Sequence, residues 1–379
     1  MLAWKELLGS ALKYSLITLA ISLVVMLTVM MSAMSEGLIT GMSGAKSSIP
    51  ADALVFQPDT FPNFERSLLT ADDLASLRGI DGVDSAYGVG HAYGTIESDG
   101  EPIGVRVFGF GDRLDTLPIV EGRGDPGPGE AIADVTVTLD GIGLGDTITL
   151  SPIGYELTIV GLTEDRRYIM VPTLFVDLAT WEGIHVATVL GRTEGASEAD
   201  GERMAGQFAG GASVAAIDLS EGTTLDGLAE RLDGYGIATP EDAAREGNGM
   251  PEMILAIGGI QYVSLVIGAL LVGVFFYITT LHKTSQIAAV KAIGASSGFL
   301  YRQLVLQIVI LVTAAIATGT TLALVMGSNM PPTMAFDFDP ERWGMTVAAI
   351  YATAILGSLF SLSSILKIDP ATALGRADQ

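Results

Sequence analysis

The stretch LKYSLITLAISLVVMLTVMMSAM, Leu12–Met34, decides the architecture. Apart from Lys13 at its start it carries no charge. A run of this length crosses the hydrocarbon of a bilayer as a helix, which takes roughly 20 apolar residues. Three more such runs crowd the C-terminal third: ILAIGGIQYVSLVIGALLVGVFFYITT (Ile254–Thr280), Leu304–Met326 and Trp343–Leu366. Residues 35–253 contain no comparable run. The layout is one helix, a large water-exposed domain, then three helices.

The fold class read from this is an α-helical membrane protein with four transmembrane helices, 12–34, 254–280, 304–326 and 343–366. A mixed α/β extracytoplasmic domain, 35–250, lies between helices 1 and 2. Residues 1–11 read as a cytoplasmic amphipathic segment with Trp4 and Lys5 at the membrane interface. An early start of helix 1 fits the same residues. Residues 281–303 form a cytoplasmic loop, 327–342 an external turn and 367–379 a cytoplasmic tail.

Charge supports this layout. The chain carries a net charge of −23. Glu36 to Glu246 holds 36 Asp and Glu against 12 Lys and Arg, whereas the rest of the chain holds 7 against 8. The acidity therefore belongs to the external domain, where it makes a solvated surface and disfavours nucleic acid. Lys5 and Lys13 precede helix 1, Lys283, Lys291 and Arg302 lie between helices 2 and 3, and Lys367 and Arg376 follow helix 4. Bases near helix ends stay cytoplasmic, so both termini are predicted inside a plasma membrane crossed several times. Helix 1 is too long for a signal-peptide core and no clean cleavage site follows it, so it reads as a retained anchor. The absence of cysteine excludes disulfides, thiol catalysis and Cys-based metal sites.

Within the external domain, Ala53–Phe56 reads as a strand. Thr70 reads as the N-cap of a helix through Leu77, with Asp72 and Asp73 in its first turn. Strands are predicted around 85–96 and 103–110, and the Gly/Pro-rich 121–129 as a loop. Short strands at 131–135, 147–150 and 155–160 suggest a β subdomain, about 125–175, inserted in an α/β unit. A strand at 212–217 and a helix at 223–232 follow, and Gly247-Asn248-Gly249 is the joint into helix 2.

The cytoplasmic loop reads KTSQIAAVKAIGASSG from Lys283 to Gly298, and the tail reads IDPATAL from Ile368 to Leu374. Both resemble the FtsX/MacB-type permease superfamily of ABC transporters, whose members share this layout. Their loops typically carry a Lys/Arg-Ala-Ile/Leu-Gly-Ala-Ser core, matched by Lys291–Ser296. Their tails typically carry Asp-Pro-x-x-Ala-Leu, matched by Asp369–Leu374. Gly129–Asp134 and Gly143–Thr147 are also similar to theirs. One departure is Gln286, where many relatives carry Glu, which leaves the charge of the ATPase contact open.

Independently of the family, Ser285–Ile293 can form a short helix with Ile287, Val290 and Ile293 on one stripe and Gly294 as its stop. Such a helix can dock a soluble partner or rest on lipid. The resemblance implies docking on a nucleotide-binding subunit through Gln286, Ile287, Val290, Lys291, Ile293 and Gly294. The chain itself carries no Gly-x-x-x-x-Gly-Lys-Ser/Thr loop. Its nearest look-alike, Gly41–Ser47, has Ala45 where Gly must precede the Lys. No His-Glu-x-x-His helix is present either. The expectation is a permease that is not itself an enzyme, with two copies of an ATPase subunit binding ATP and Mg, a second copy of the permease, and membrane lipid as partners. No intrinsic cofactor is expected.

Glu6-Leu7, Lys13–Thr18 and the modest external domain most resemble the haem-exporter (HrtB-like) branch of the superfamily. That resemblance implies an amphipathic cargo, with haem as the first choice. Met26, Met30 and Met34 recur at i, i+4, i+8 and lead to Glu36, while helix 2 opens with Met250, Glu252 and Met253 and carries Tyr262 lower down. Met and Tyr ligate haem iron elsewhere, and a carboxylate is a hard donor for ferric iron. If two copies pair through helices 1 and 2, Met26, Met30, Met34, Glu36, Met253 and Tyr262 face a common slot. The same Met row is also what ordinary helix packing uses. A lipid, lipopeptide or drug fits such a slot too. An alternative of another class is an ATP-driven signal transmitter to a cell-wall hydrolase.

Overall fold

The computed structural model describes residues 11–98, 100–111, 113–191, 197–246, 250–282, 296–330 and 336–366. Its helices are α1 (Ala11–Ser47), α2 (Ala71–Arg78), α3 (Leu178–Gly191), α4 (Glu198–Phe208), α5 (Leu225–Ala229), α6 (Pro240–Glu246), α7 (Met250–His282), α8 (Ser297–Gly327) and α9 (Pro340–Leu366). Its strands are β1 (Ala53–Phe56), β2 (Val83–Ser98), β3 (Glu101–Phe110), β4 (Ile119–Gly122), β5 (Glu130–Asp134), β6 (Thr147–Leu150), β7 (Tyr155–Thr163), β8 (Thr173–Asp177), β9 (Val214–Leu219) and β10 (Gly236–Ala238). The chain divides into two compact units, Met1–Gly37 with Met253–Gln379, and Leu38–Glu252.

The first unit is a helical bundle. Among the described residues three helices are long and apolar enough to cross a membrane, over Tyr14–Ser47, Met250–Leu271 and Val305–Gly327. The fourth expected span falls in α9, whose 27 residues reach about 40 Å at the α-helical rise. Tyr14, Ile21, Val25 and Val29 share one face of α1 and pack against Ile308, Val312 and Ala315 of α8 and Ile350 and Ala354 of α9. The crossing of α1 and α8 is tight at Gly319, where a Cβ would lie 2.6 Å from the Ser22 carbonyl oxygen. Hydroxyls on α1 are satisfied by their own helix: Ser22 donates to the Thr18 carbonyl at 2.7 Å and Thr28 to that of Val24 at 2.8 Å. The apolar residues of α7 are left open instead. Only 6% of its span is buried, and Leu255, Val263 and Leu270 stand exposed.

The second unit is a ten-stranded mixed sheet in the order β10-β1-β9-β2-β3-β8-β5-β7-β4, with β6 on β7. The hairpin of β2 and β3 forms its spine, paired from Val89↔Phe110 to Ser98↔Glu101. A parallel pairing of β3 with β8 and an antiparallel pairing of β8 with β5 carry the sheet onward. This corrects the expected inserted subdomain at about 125–175. The expected strands form as β5, β6 and β7, but with the unexpected β8 they extend the same sheet, because Phe108 of β3 and Phe175 of β8 are buried in one core with Ile132 of β5. Alternation along short strands reveals the strands but not which neighbour each one pairs with. The cap at Thr70 stands as read: its hydroxyl accepts from Asp73 N at 3.2 Å, and Asp73 Oδ2 accepts from Thr70 N at 2.8 Å.

Helix α1 does not end near Met34 but runs on to Ser47. The reason lies in the second unit. The segment 165–170 runs against the helix, with Met170 N donating to the Gly41 carbonyl (2.8 Å), Ile169 N to that of Met42 (3.1 Å) and Ala45 N to that of Arg167 (3.0 Å). Gly44 allows this approach, since a Cβ there would meet the Asp165 carbonyl oxygen at 2.5 Å. Glycines that weaken an isolated helix here admit the backbone that stabilises it. The stretch Gly41–Ser47 is helical rather than a phosphate-cradling loop.

Candidate functional site

Two clusters of charged and aromatic side chains stand out, one in each unit. In the bundle, a cleft of about 260 Å³ lies between α1 and the start of α9. Val29, Ser32, Ala33 and Glu36 form one wall, and Asp337, Phe338, Arg342 and Trp343 are prominent on the other. Arg342 Nη1 pairs with Glu36 Oε2 at 2.7 Å, and its Nε lies 3.6 Å from Asp339 Oδ2. Asp337 N donates to the Ala33 carbonyl at 3.1 Å. Trp343 Nε1 donates to Thr320 Oγ1 of α8 at 3.2 Å, which fixes the indole. Asp339 accepts from Glu341 N at 2.8 Å at the start of α9. The Glu36 and Arg342 side chains are 18% and 39% exposed, so the pair is half-wet and worth roughly 1 kcal/mol.

A second space, of about 330 Å³, lies deeper among all four long helices and is lined chiefly by Ile21, Val25, Leu265, Gly268, Val312 and Ile350. Its Thr28 and Thr353 hydroxyls are bonded within their own helices, which leaves it an apolar gap.

The expected ligand set is not gathered by one chain. Glu36 faces α9 through Arg342, and neither cleft is lined by Met26, Met30, Met34, Met253 or Tyr262. Met26 packs on the bundle core, Met30, Met34 and Met253 are half-buried, and Tyr262 is 70% exposed on α7. The ATPase-coupling residues Gln286, Ile287, Val290, Lys291, Ile293 and Gly294 lie outside the described residues, as do the N-terminal segment 1–10 and the tail 367–379.

In the sheet unit, Lys46 of α1 is 1% exposed, with Nζ 4.6 Å from the centre of the Phe64 ring and 4.8 Å from that of Tyr168. The aromatic faces attract the Lys46 nitrogen when it is protonated. Arg106 pairs with Glu65 at 2.8 Å and lies 5.8 Å from the Tyr168 ring. His91 stands edge-on to Phe108 (5.0 Å) and Tyr168 (5.3 Å). Burial, then the Arg106 and Lys46 charges, hold its imidazole well below the usual histidine range, so it stays neutral. His185 stacks on Trp181 at 5.1 Å. Both histidines are therefore packing residues of the sheet unit. No group of three or more His, Asp or Glu among the described residues is arranged to hold a metal ion.

Sequence reasoning missed Arg342, Asp339 and Lys46. A signal was present for each. Arg342 is the only base in the segment 327–342, among Asp337, Asp339 and Glu341, and Lys46 is the only base between Lys13 and Arg66.

Comparison with known proteins bears on all of this. Residues 15–235 match the model of the MacB-like periplasmic core domain, and residues 259–370 that of the FtsX-like permease C-terminal domain. The chain is 22% identical over 374 residues to a putative hemin transport system permease protein HrtB of Staphylococcus haemolyticus, covering 99% of each. It is 25% identical over 309 residues to an uncharacterized ABC transporter permease of Mycobacterium bovis, covering 80% of this chain and 78% of that one. The solved periplasmic region of MacB from Actinobacillus actinomycetemcomitans matches with a TM-score of 0.35 and 14% identity, over 50% of this chain and 89% of that one. With a core domain matched across more than half its length and a permease domain matched behind it, the chain belongs to the FtsX/MacB-type permeases of ABC transporters.

Proposed function

We propose that the chain is the permease subunit of an ABC-type efflux pump that takes an amphipathic ligand from the membrane and releases it outward, with haem as the ligand. The observation that carries this is the bare surface of α7 over Met250–Leu271, of which only 6% is buried, next to the packed core of α1, α8 and α9. A helix so apolar and so uncovered suits a second copy of the chain or an apolar ligand held between copies. The relative named as a hemin transport permease over its full length supports haem. Two copies pair through α1 and α7, both termini lie in the cytoplasm, and all four long helices cross the plasma membrane.

The chain has no phosphate-binding loop of its own, so a separate ATPase supplies ATP binding and hydrolysis, docked through Ser285–Ile293. Closure of that ATPase dimer biases the bundle toward a state that squeezes the ligand outward. Met26, Met30, Met34, Met253, Tyr262 and Glu36 line the slot between copies, and Glu36 leaves Arg342 when it engages the cargo. Titration of the detergent-purified protein with haemin, read by Soret absorbance, tests this. A saturable, stoichiometric shift altered by Met30→Ala, Met34→Ala, Glu36→Ala or Tyr262→Phe supports the slot. Unsaturated absorbance indifferent to all four removes haem as the cargo.

A further inference from the structure

The contacts between α1 and the rest of the bundle differ in kind along its length. Lower down, Gly319 brings α8 against the Ser22 carbonyl and the Val25 side chain, and Val25, Val312 and Ala354 belong to the buried apolar core. There the helices are joined by close approach and apolar contact, around the apolar gap of about 330 Å³. At the Glu36 end the contact changes character. Among the described residues it includes a half-wet ion pair, Glu36–Arg342, and a backbone hydrogen bond, Asp337 N to the Ala33 carbonyl, beside a cleft of about 260 Å³. Arg342 also has a second acceptor just before its own helix, Asp339, at 3.6 Å. If Glu36 leaves, the guanidinium swings to Asp339 and stays neutralised, and Glu36 turns toward water. A contact whose partners both keep a destination is separable in a way that the Gly319 crossing is not.

We propose that Glu36–Arg342 is an ionic latch joining α1 to the first turn of α9, closed in the nucleotide-free state and opened when the ATPase closes, with Asp339 holding Arg342 in the open state. Arg342 is then a positioning residue, acting through Glu36. This rests on reading the chain as an ATPase-driven permease, but not on the identity of the cargo.

The chain has no cysteine, so Ala33→Cys with Asp337→Cys gives one defined pair across the latch. The full chain, assembled with its ATPase in lipid nanodiscs, is oxidised without nucleotide and after trapping with ATP and orthovanadate. Fast cross-linking without nucleotide and at least fivefold slower cross-linking in the trapped state is the expected result. A preformed cross-link lowers ATP turnover at least fivefold, and dithiothreitol restores it. Equal cross-linking in both states, no cross-link without nucleotide, or turnover indifferent to the cross-link overturns the latch.

Charge reversal gives a second arm. Glu36→Arg and Arg342→Glu each abolish the difference between the two states in a chain that keeps its melting temperature, and the double reversal restores it. A double reversal no better than either single variant overturns the pairing. Arg342→Lys, which keeps the charge, retains most of the difference. A failed haemin titration leaves every one of these readouts intact, so the two readings fail separately.

Discussion

Replacing Gly44 by Ala places a methyl carbon 2.5 Å from the Asp165 carbonyl oxygen, 3.3 Å from its carbon and 3.5 Å from the Arg167 carbonyl oxygen. A carbon–oxygen contact needs about 3.3 Å, so the segment 165–170 must retreat by about 0.8 Å. Both sides of the clash are backbone, and no flexible side chain can absorb it. The retreat stretches the bonds to Gly41, Met42 and Ala45, which start at 2.8, 3.1 and 3.0 Å. Two or three backbone hydrogen bonds at about 1 kcal/mol net each, together with disturbed packing of Lys46, cost about 2–4 kcal/mol. Alanine returns about 1 kcal/mol of helix propensity, which leaves a net loss of about 1–3 kcal/mol. For a domain of this size that lowers the melting temperature by roughly 2–12 °C. The control is Gly206→Ala in α4, where nothing lies within 4 Å of the added carbon. There the propensity term acts alone and raises stability by about 1 kcal/mol. The assay is thermal unfolding of the purified protein together with hydrogen exchange of the Ile169 and Met170 amides, which should exchange roughly 5- to 150-fold faster in Gly44→Ala. A Gly44→Ala protein that melts at or above the parent refutes the reasoning. So does one that melts lower while those two amides keep full protection.

The remaining predictions concern the buried groups of the sheet unit. His91 is neutral in the folded state with its pKa depressed, whereas the unfolded chain titrates it near 6.5. The unfolded state therefore binds the extra proton, and stability falls as pH drops from about 6.5, by up to about 1.4 kcal/mol per unit. His91→Phe, which preserves the edge-on ring contacts, should flatten denaturation midpoints between pH 7 and 5, and an unchanged slope would assign it to other groups. Lys46→Met keeps the length of the buried chain and removes an amine held out of water, so urea unfolding should find it at least as stable as the parent. Lys46→Ala leaves a cavity and should lose about 2–4 kcal/mol. Equal losses for both would show that the ammonium over Phe64 and Tyr168 is itself the stabilising contact.

Much was legible in the chain because it depends on local chemistry. A run such as Leu12–Met34 must be helical in lipid whatever surrounds it. Thr70 caps α2 with its own hydroxyl and Asp73 three residues on, so no distant residue is needed to find that boundary. Ala53–Phe56 and Thr147–Leu150 form strands at the residues expected of them. The family resemblance also lay in short contiguous motifs, and the matched domain models bear it out.

What only the tertiary structure decided are contacts between residues far apart in the chain. Glycines at 41 and 44 read as places where a helix weakens, yet α1 continues through them because the 165–170 backbone supplies hydrogen bonds from more than 120 positions away. Glu36 was recognisable as a carboxylate at the end of an apolar helix, but that its partner is Arg342 depends on α9 folding back beside α1. Strands β5, β6 and β7 were visible as strands, but β8 was not, and their membership of one sheet follows from its pairing with β3 and β5. Hydropathy and capping are one-residue and one-turn properties, and the sequence carries them directly. Charge pairing and sheet order are set by which surfaces meet when the chain is packed, and no local pattern encodes that.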